Sequence, residues 1–229
     1  MIKIDQKGNL IWQKAHGNPA FPNHEWAYDI TQLPDEGFLV VGGRDRYSQG
    51  SKNGLVLRTD KEGTLLWEKE FLEEGQAEET VYSISNTNNG NYFICSTTNS
   101  VAEPGIYQPK ISKIDLEGNI DWQRTFAANG KSYHRFSAAG TEKGDIVLVG
   151  SSGRQVATGY DEDAFMVRMD DKGNIIWSFA YGTYDNDDWG WSVFETAQNN
   201  LVFVGATKSF GASLFDIYLV GTNAEGISQ

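Results

Sequence analysis

The sequence predicts an all-β protein, a four-bladed β-propeller of four-stranded antiparallel blades, on three observations. Trp12, Trp67, Trp122 and Trp177 stand 55 residues apart (67−12, 122−67, 177−122). Each closes one phrase, Asp-x-x-Gly-x-x-x-Trp, carried by Asp5 and Gly8, Asp60 and Gly63, Asp115 and Gly118, and Asp170 and Gly173, with a remnant at Asn223 and Gly226. Every repeat holds four strand-like segments, and no stretch shows the 3.6-residue period of a helix. A repeat of this length is one supersecondary unit copied, which buries its apolar faces only by stacking on its neighbours. The chain is therefore one domain, 1–229, with repeats near 18–72, 73–127, 128–182 and 183–229, and residues 1–17 preceding them.

The first segment of each repeat contains Tyr28-Asp29-Ile30, Tyr82-Ser83-Ile84, Phe136-Ser137-Ala138 and Trp191-Ser192-Val193. Large and small side chains alternate there, the two-residue period of a strand whose faces meet different surroundings. The column Asp29, Ser83, Ser137, Ser192 is the face suited to a crowded central axis. The second segment is apolar on both faces: 38–41, 92–95, 146–149 and 201–204, as in a strand sandwiched between layers. The third, 55–58, 111–113, 165–168 and 218–220, is more mixed and reads as nearer an edge. The fourth carries the Trp. Strict alternation places Leu10, Leu65, Ile120 and Ile175, two residues earlier, on the same buried face.

Between the third and fourth segments the Asp accepts backbone N–H bonds within the turn, and the Gly supplies the positive φ of a tight, bulged hairpin. These residues, and the Trp that packs between adjacent blades, are scaffold. The first Trp-bearing strand is expected to complete the last blade and close the ring, although 1–5 and 216–223 both read as third strands and one is surplus. A fragment of a longer array, or a ring completed by a second chain, is the alternative.

At these residues the sequence resembles the quinoprotein-like β-propellers and the related repeat propellers of secreted bacterial proteins, whose repeats also set an Asp, a turn Gly and a docking Trp between the outer strands. The resemblance covers essentially the whole chain. It implies the fold and a secreted or periplasmic location, and the departures argue against a quinone. Lys3, Arg58, Lys113 and Arg168 stand where those enzymes have Ala, the Thr before the Gly is missing, and one cysteine supplies no vicinal pair. No cofactor is expected.

Composition bounds the partners. With 39% hydrophobic residues and no apolar run near the roughly 18 residues of a membrane span, no membrane insertion is expected. A formal charge of −12 disfavours nucleic acid and anionic membranes, both polyanions. Cys95, the only cysteine, lies in an apolar stretch and reads as a buried, inert thiol. The N-terminus has neither the charged region nor the apolar core of a signal peptide.

The turns joining segments one to two and three to four are short. The remaining connections, including 44–53, 97–108 and 151–163, are long, divergent and expected on one face, the default binding surface of a rigid scaffold. The ligand candidates there are Trp26, His134 and Trp189 at equivalent positions, with Arg44, Asp45, Tyr107 and Arg154 around the rim. Flat aromatics beside carboxylates and amides suit a glycan or a peptide. Asp185, Asp187 and Asp188 are a weak calcium set, lacking the spaced pattern of a dedicated loop, and no His pair has transition-metal spacing. The expectation is a non-catalytic binding or interaction module, not an enzyme. Its rivals are a glycan hydrolase or lyase on the same face, and a fragment that assembles with further blades, an oligomer following if the ring is incomplete.

Overall fold

The computed structural model describes residues 1–17, 24–46, 51–72, 76–87, 89–100, 107–126, 133–156, 159–183, 186–211 and 214–228. Among the described residues, seventeen strands form five antiparallel sheets in chain order. The hairpin β1 (Ile2–Ile4) and β2 (Leu10–Gln13) is a sheet of its own. Three four-stranded meanders follow: β3 (Glu25–Gln32), β4 (Phe38–Arg46), β5 (Ser51–Thr59) and β6 (Leu65–Phe71); β7 (Gln76–Asn86), β8 (Tyr92–Ser100), β9 (Tyr107–Ile114) and β10 (Ile120–Thr125); β11 (Tyr133–Gly140), β12 (Ile146–Val156), β13 (Gly159–Met169) and β14 (Ile175–Tyr181). The last sheet has three strands, β15 (Asp188–Glu195), β16 (Leu201–Thr207) and β17 (Asp216–Thr222).

The sheets stack face to face because their second strands are apolar on both sides. On β8, Tyr92 and Ile94 point back into a cluster with Leu39, Val41 and Val56, while Phe93 and Cys95 point forward onto Phe136, Ile146 and Leu148. Val147, Val149 and Met166 of the third meander then meet Val193, Leu201 and Phe203 of the last sheet. Polar links run along the inner strands: Ser83 Oγ donates to Asp29 at 3.0 Å, and the Ala138 N–H donates to Ser83 Oγ at 3.3 Å.

The repeat phrase is a turn that also receives a neighbour. In the second copy the Asp60 carboxylate accepts the N–H groups of Glu62 and Thr64 at 3.0 and 2.7 Å, and Gly63 has φ +74°. The Trp of the preceding repeat rests on that glycine: a β-carbon on Gly63 would lie 2.8 Å from the Trp12 ring, and one on Gly118 would lie 2.7 Å from Trp67. The indole N–H of Trp67 donates to the Leu116 carbonyl at 3.1 Å, Trp122 to Asp171 and Trp177 to Ala224. Arg58 reaches the same Leu116 oxygen at 3.0 Å and Arg168 the same Ala224 oxygen at 2.8 Å, which gives the arginine before each of these two turns its purpose.

Three expectations are corrected. The ring does not close through β2: β1 pairs with β2 alone and β15–β17 stay three-stranded, so there are five sheets, not four closed blades. Leu10, Leu65, Ile120 and Ile175 do not share the buried Trp face but are exposed. A β-bulge explains this, since Trp67 pairs with Arg58 and Leu65 with Thr59, adjacent residues of opposite faces. Finally, much of 44–53 and 151–163 is not loop but hairpin, paired out to Arg46–Ser51 and Val156–Gly159.

Candidate functional site

The four inner strands begin at the same end of the molecule, and their registers coincide there. Glu25 lies opposite Arg44, Glu79 opposite Thr98, Tyr133 opposite Ser152, and Asp188 opposite Thr207, each the same step along its hairpin. Glu25, Glu79 and Asp188 thus form one column of carboxylates, with Tyr133 in the third position. The next residues are Trp26, Thr80, His134 and Trp189. Sequence reasoning aligned that second column but not the one before it: it set Glu25 on the rim and Asp188 in the weak calcium set, and left Glu79 unnamed.

Each carboxylate is held by donors of its own sheet. Glu25 meets the Arg44 Nε at 2.6 Å, and the same guanidinium reaches Glu68 at 3.0 Å and Glu70 at 2.7 Å. Burial opposes the Arg44 charge, but the hydrogen bonds it donates to Glu70, Glu68 and Glu25 outweigh it and raise the pKa above the ordinary arginine value. Glu79 is fully enclosed, 2.6 Å from Lys110 Nζ and accepting from Ser96 Oγ at 2.8 Å. Lys110 occupies a register position that holds Leu55, Phe165 and Tyr218 in the other sheets. A buried cation in an otherwise apolar column requires the carboxylate beside it. Beside this pair, the Tyr107 hydroxyl donates to Glu78 at 2.8 Å; burial and then that carboxylate push its pKa up to about 12. Asp188 is also enclosed and accepts from Thr207 Oγ1, from Ser209 Oγ at 2.6 Å and from the Thr183 N–H at 3.1 Å.

The sequence-predicted site residues are partly gathered. Trp26 lies over Gly43, where a β-carbon would come 2.8 Å from the ring, and Trp189 stacks on Phe215 at 4.1 Å. The indole N–H of each has no acceptor among the described residues. Arg44 is a buried member of the Glu25 cluster rather than a rim group. Tyr107 is tied to Glu78, and the Asp45 N–H donates to the His24 carbonyl at 2.9 Å. His134 lies on β11 and Arg154 on β12, with their side chains outside the description. Asp185 lies outside the described residues, and its neighbours separate: Asp187 pairs with Lys208 at 2.6 Å while Asp188 turns to hydroxyls. Among the described residues, no group of three or more His, Cys, Asp and Glu side chains has the arrangement of a metal site.

No protein-family model matches the chain, and no curated protein matches its sequence. Solved structures do match in shape. A Bacillus megaterium levansucrase aligns with TM-score 0.52 at 9% identity, over 100% of this chain and 71% of that one. A thermostable family-43 glycoside hydrolase aligns with TM-score 0.47 at 13% identity, over 90% and 74% of the two chains. A polysaccharide lyase of family PL25, an ulvan lyase, aligns with TM-score 0.49 at 8% identity, over 87% and 56%. The chain has a propeller-type all-β fold. The expectation of a non-catalytic module, not an enzyme, is corrected here: the matched structure with a TM-score above 0.5 is a levansucrase, which favours the rival reading from sequence.

Proposed function

We propose that the protein is a glycan-active enzyme, a hydrolase or lyase, working at the open end of its inner strands. The observation that carries the reading is the shared register of Glu25, Glu79 and Asp188 on a fold in common with a levansucrase. Cleaving a glycosidic bond takes two carboxyl groups with different tasks. Three acids at one height on the first, second and last of the four successive sheets supply the material for that division. Asp188, whose carboxylate is fixed by two hydroxyls and one backbone N–H, is the acid assigned as nucleophile or base. Arg44, held by Glu25, furnishes the positive charge that a lyase needs beside a uronate. Trp26 and Trp189, next along each strand, supply flat apolar surface for sugar rings.

Incubation with sucrose and a panel of neutral and uronic-acid polysaccharides tests the reading. New reducing ends or an unsaturated product absorbing in the ultraviolet are expected with at least one substrate. Inertness across the panel contradicts the proposal.

A further inference from the structure

The connection between β16 and β17 is fastened to the carboxylate site at three points. Lys208 Nζ pairs with Asp187 at 2.6 Å and lies 4.5 Å over the Phe215 ring. Ser209 is buried, and its Oγ donates to Asp188 at 2.6 Å. At the far end Phe215 stacks on Trp189 at 4.1 Å. Between these anchors stands Phe210, 70% exposed and with φ +56°. A bulky side chain in the left-handed region is strained, and the strain persists only where the surroundings fix the backbone. Among the described residues the other non-glycines with positive φ are Glu36 and Asn199, polar residues of tight hairpin turns. Phe210 is neither polar nor in such a turn. Its ring is the outermost of a series that begins in the core, with Tyr181 on Phe203 at 5.2 Å, Phe203 on Tyr218 at 5.6 Å and Tyr218 under Phe210 at 5.8 Å. The three inner rings pack in the cluster shared with the third meander, so Phe210 stands on the covered side of the last sheet.

We infer that Phe210 is a stacking platform for a sugar ring next to the one held at Asp188, and that the ligand of the site is a neutral polysaccharide. The inference rests on the proposed function for the class of ligand and names its kind. A phenyl ring makes no hydrogen bond, so what it takes is the C–H face of a sugar. Its neighbour Ser209 holds Asp188, which sets platform and carboxylate side by side for consecutive rings of one chain. The setting is acidic. Burial, then Asp188 and Asp163, push the Tyr218 hydroxyl beneath the platform up to about 12, and Lys208 is already paired with Asp187. A polyuronate is repelled by these acids and by a formal charge of −12, whereas a neutral chain is not. Strain kept for binding has a distinctive signature: relieving it spares stability and weakens the ligand.

Affinity electrophoresis in native gels cast with each neutral and uronic-acid polysaccharide of the panel tests the inference on the wild type, Phe210→Gly and Phe210→Trp, with a circular dichroism melt of each. Glycine adopts φ +56° without strain, so Phe210→Gly is expected to melt no lower than the wild type. Its affinity for the neutral polysaccharide that retards the wild type is expected to fall about 10-fold. Phe210→Trp keeps a flat ring and is expected to bind within about 3-fold of the wild type. Retardation of the wild type by uronic-acid polysaccharides only, or by none, overturns the inference. So do unweakened binding by Phe210→Gly, lost binding by Phe210→Trp, and a Phe210→Gly melt lowered by several degrees, which makes the ring a packing element. New reducing ends on the same polysaccharides are read in parallel. Binding without cleavage removes the enzyme and leaves the platform; cleavage with unweakened Phe210→Gly binding removes the platform and leaves the enzyme.

Discussion

The six-membered ring of Trp67 lies directly on Gly118, one repeat further along, and its indole N–H is bonded to Leu116 in the same turn. One residue of the phrase therefore serves the next copy of the phrase. Glycine is required at 118 twice over, by φ +73° and by the indole that would meet any β-carbon. Gly118→Ala is expected to lower stability by about 2 kcal/mol from strain and overpacking together, and Trp67→Ala by about 3 kcal/mol. The double variant is expected to cost less than the sum of the two, since alanine at 118 no longer meets a ring. Urea unfolding followed by tryptophan fluorescence measures all three.

The turn carboxylates predict an acid-sensitive scaffold. Asp115 is held below its ordinary value of 3.8 by the Asn119 N–H and side-chain amide, and Asp5 and Asp170 are lowered in the same way by Asn9 and Asn174. A depressed folded pKa contributes stability that is complete above the unfolded value and is lost as pH falls through the folded one. The melting temperature is expected to drop as pH falls below about 4. Asn223 makes the same turn with its Oδ1, accepting the N–H groups of Glu225 and Ile227 at 3.1 and 2.9 Å. Asp115→Asn with Asp170→Asn is therefore expected to keep the fold and flatten the low-pH decline, checked by calorimetry from pH 2.5 to 7.

Glu79 and Lys110 form a pair enclosed on all sides at 2.6 Å. Removing one partner leaves an uncompensated buried charge, so Lys110→Met is expected to cost about 3–5 kcal/mol. Glu79→Leu combined with Lys110→Met is expected to recover most of that loss, because an apolar pair suits a column otherwise filled by Leu55, Phe165 and Tyr218. Equilibrium unfolding of the single and double variants decides it; a silent Lys110→Met contradicts the description.

Cys95 is 1% exposed between two sheets, and burial pushes its thiol pKa well up. Thiol reagents are expected to label it only at the rate at which the core opens, and at once in denaturant. Fast labelling of the native protein rules out the packed interface.

The repeat made the sheets legible because its four segments carry plain signals: a turn with Asp and Gly, a Trp four residues after the Gly, and a strand apolar on both faces. What escaped has local causes. The bulge between Leu65 and Trp67 adds a residue without any sequence signature, so simple alternation put the leucine on the wrong face. The hairpin extensions beyond Arg44 and Ser151 are polar, and a strand without an apolar face looks like a loop. Ring closure was inferred from strand count, which says nothing of whether β1 prefers β2 or β17. The column made by Glu25, Glu79 and Asp188 was hidden by the abundance of Asp and Glu; only the register against Arg44, Thr98 and Thr207 lifts the three together out of a crowd of 31.

Asp188 gives the most direct test of function. It is compared with Asp187, its neighbour in sequence, which faces Lys208 instead of the hydroxyl pair. On the best substrate of the panel, turnover by Asp188→Asn is expected to fall by roughly 100-fold or more, while Asp187→Asn stays within a few-fold of wild type and both keep the wild-type near-ultraviolet dichroism. Full turnover by a folded Asp188→Asn variant contradicts the assignment of catalysis to the carboxylate column.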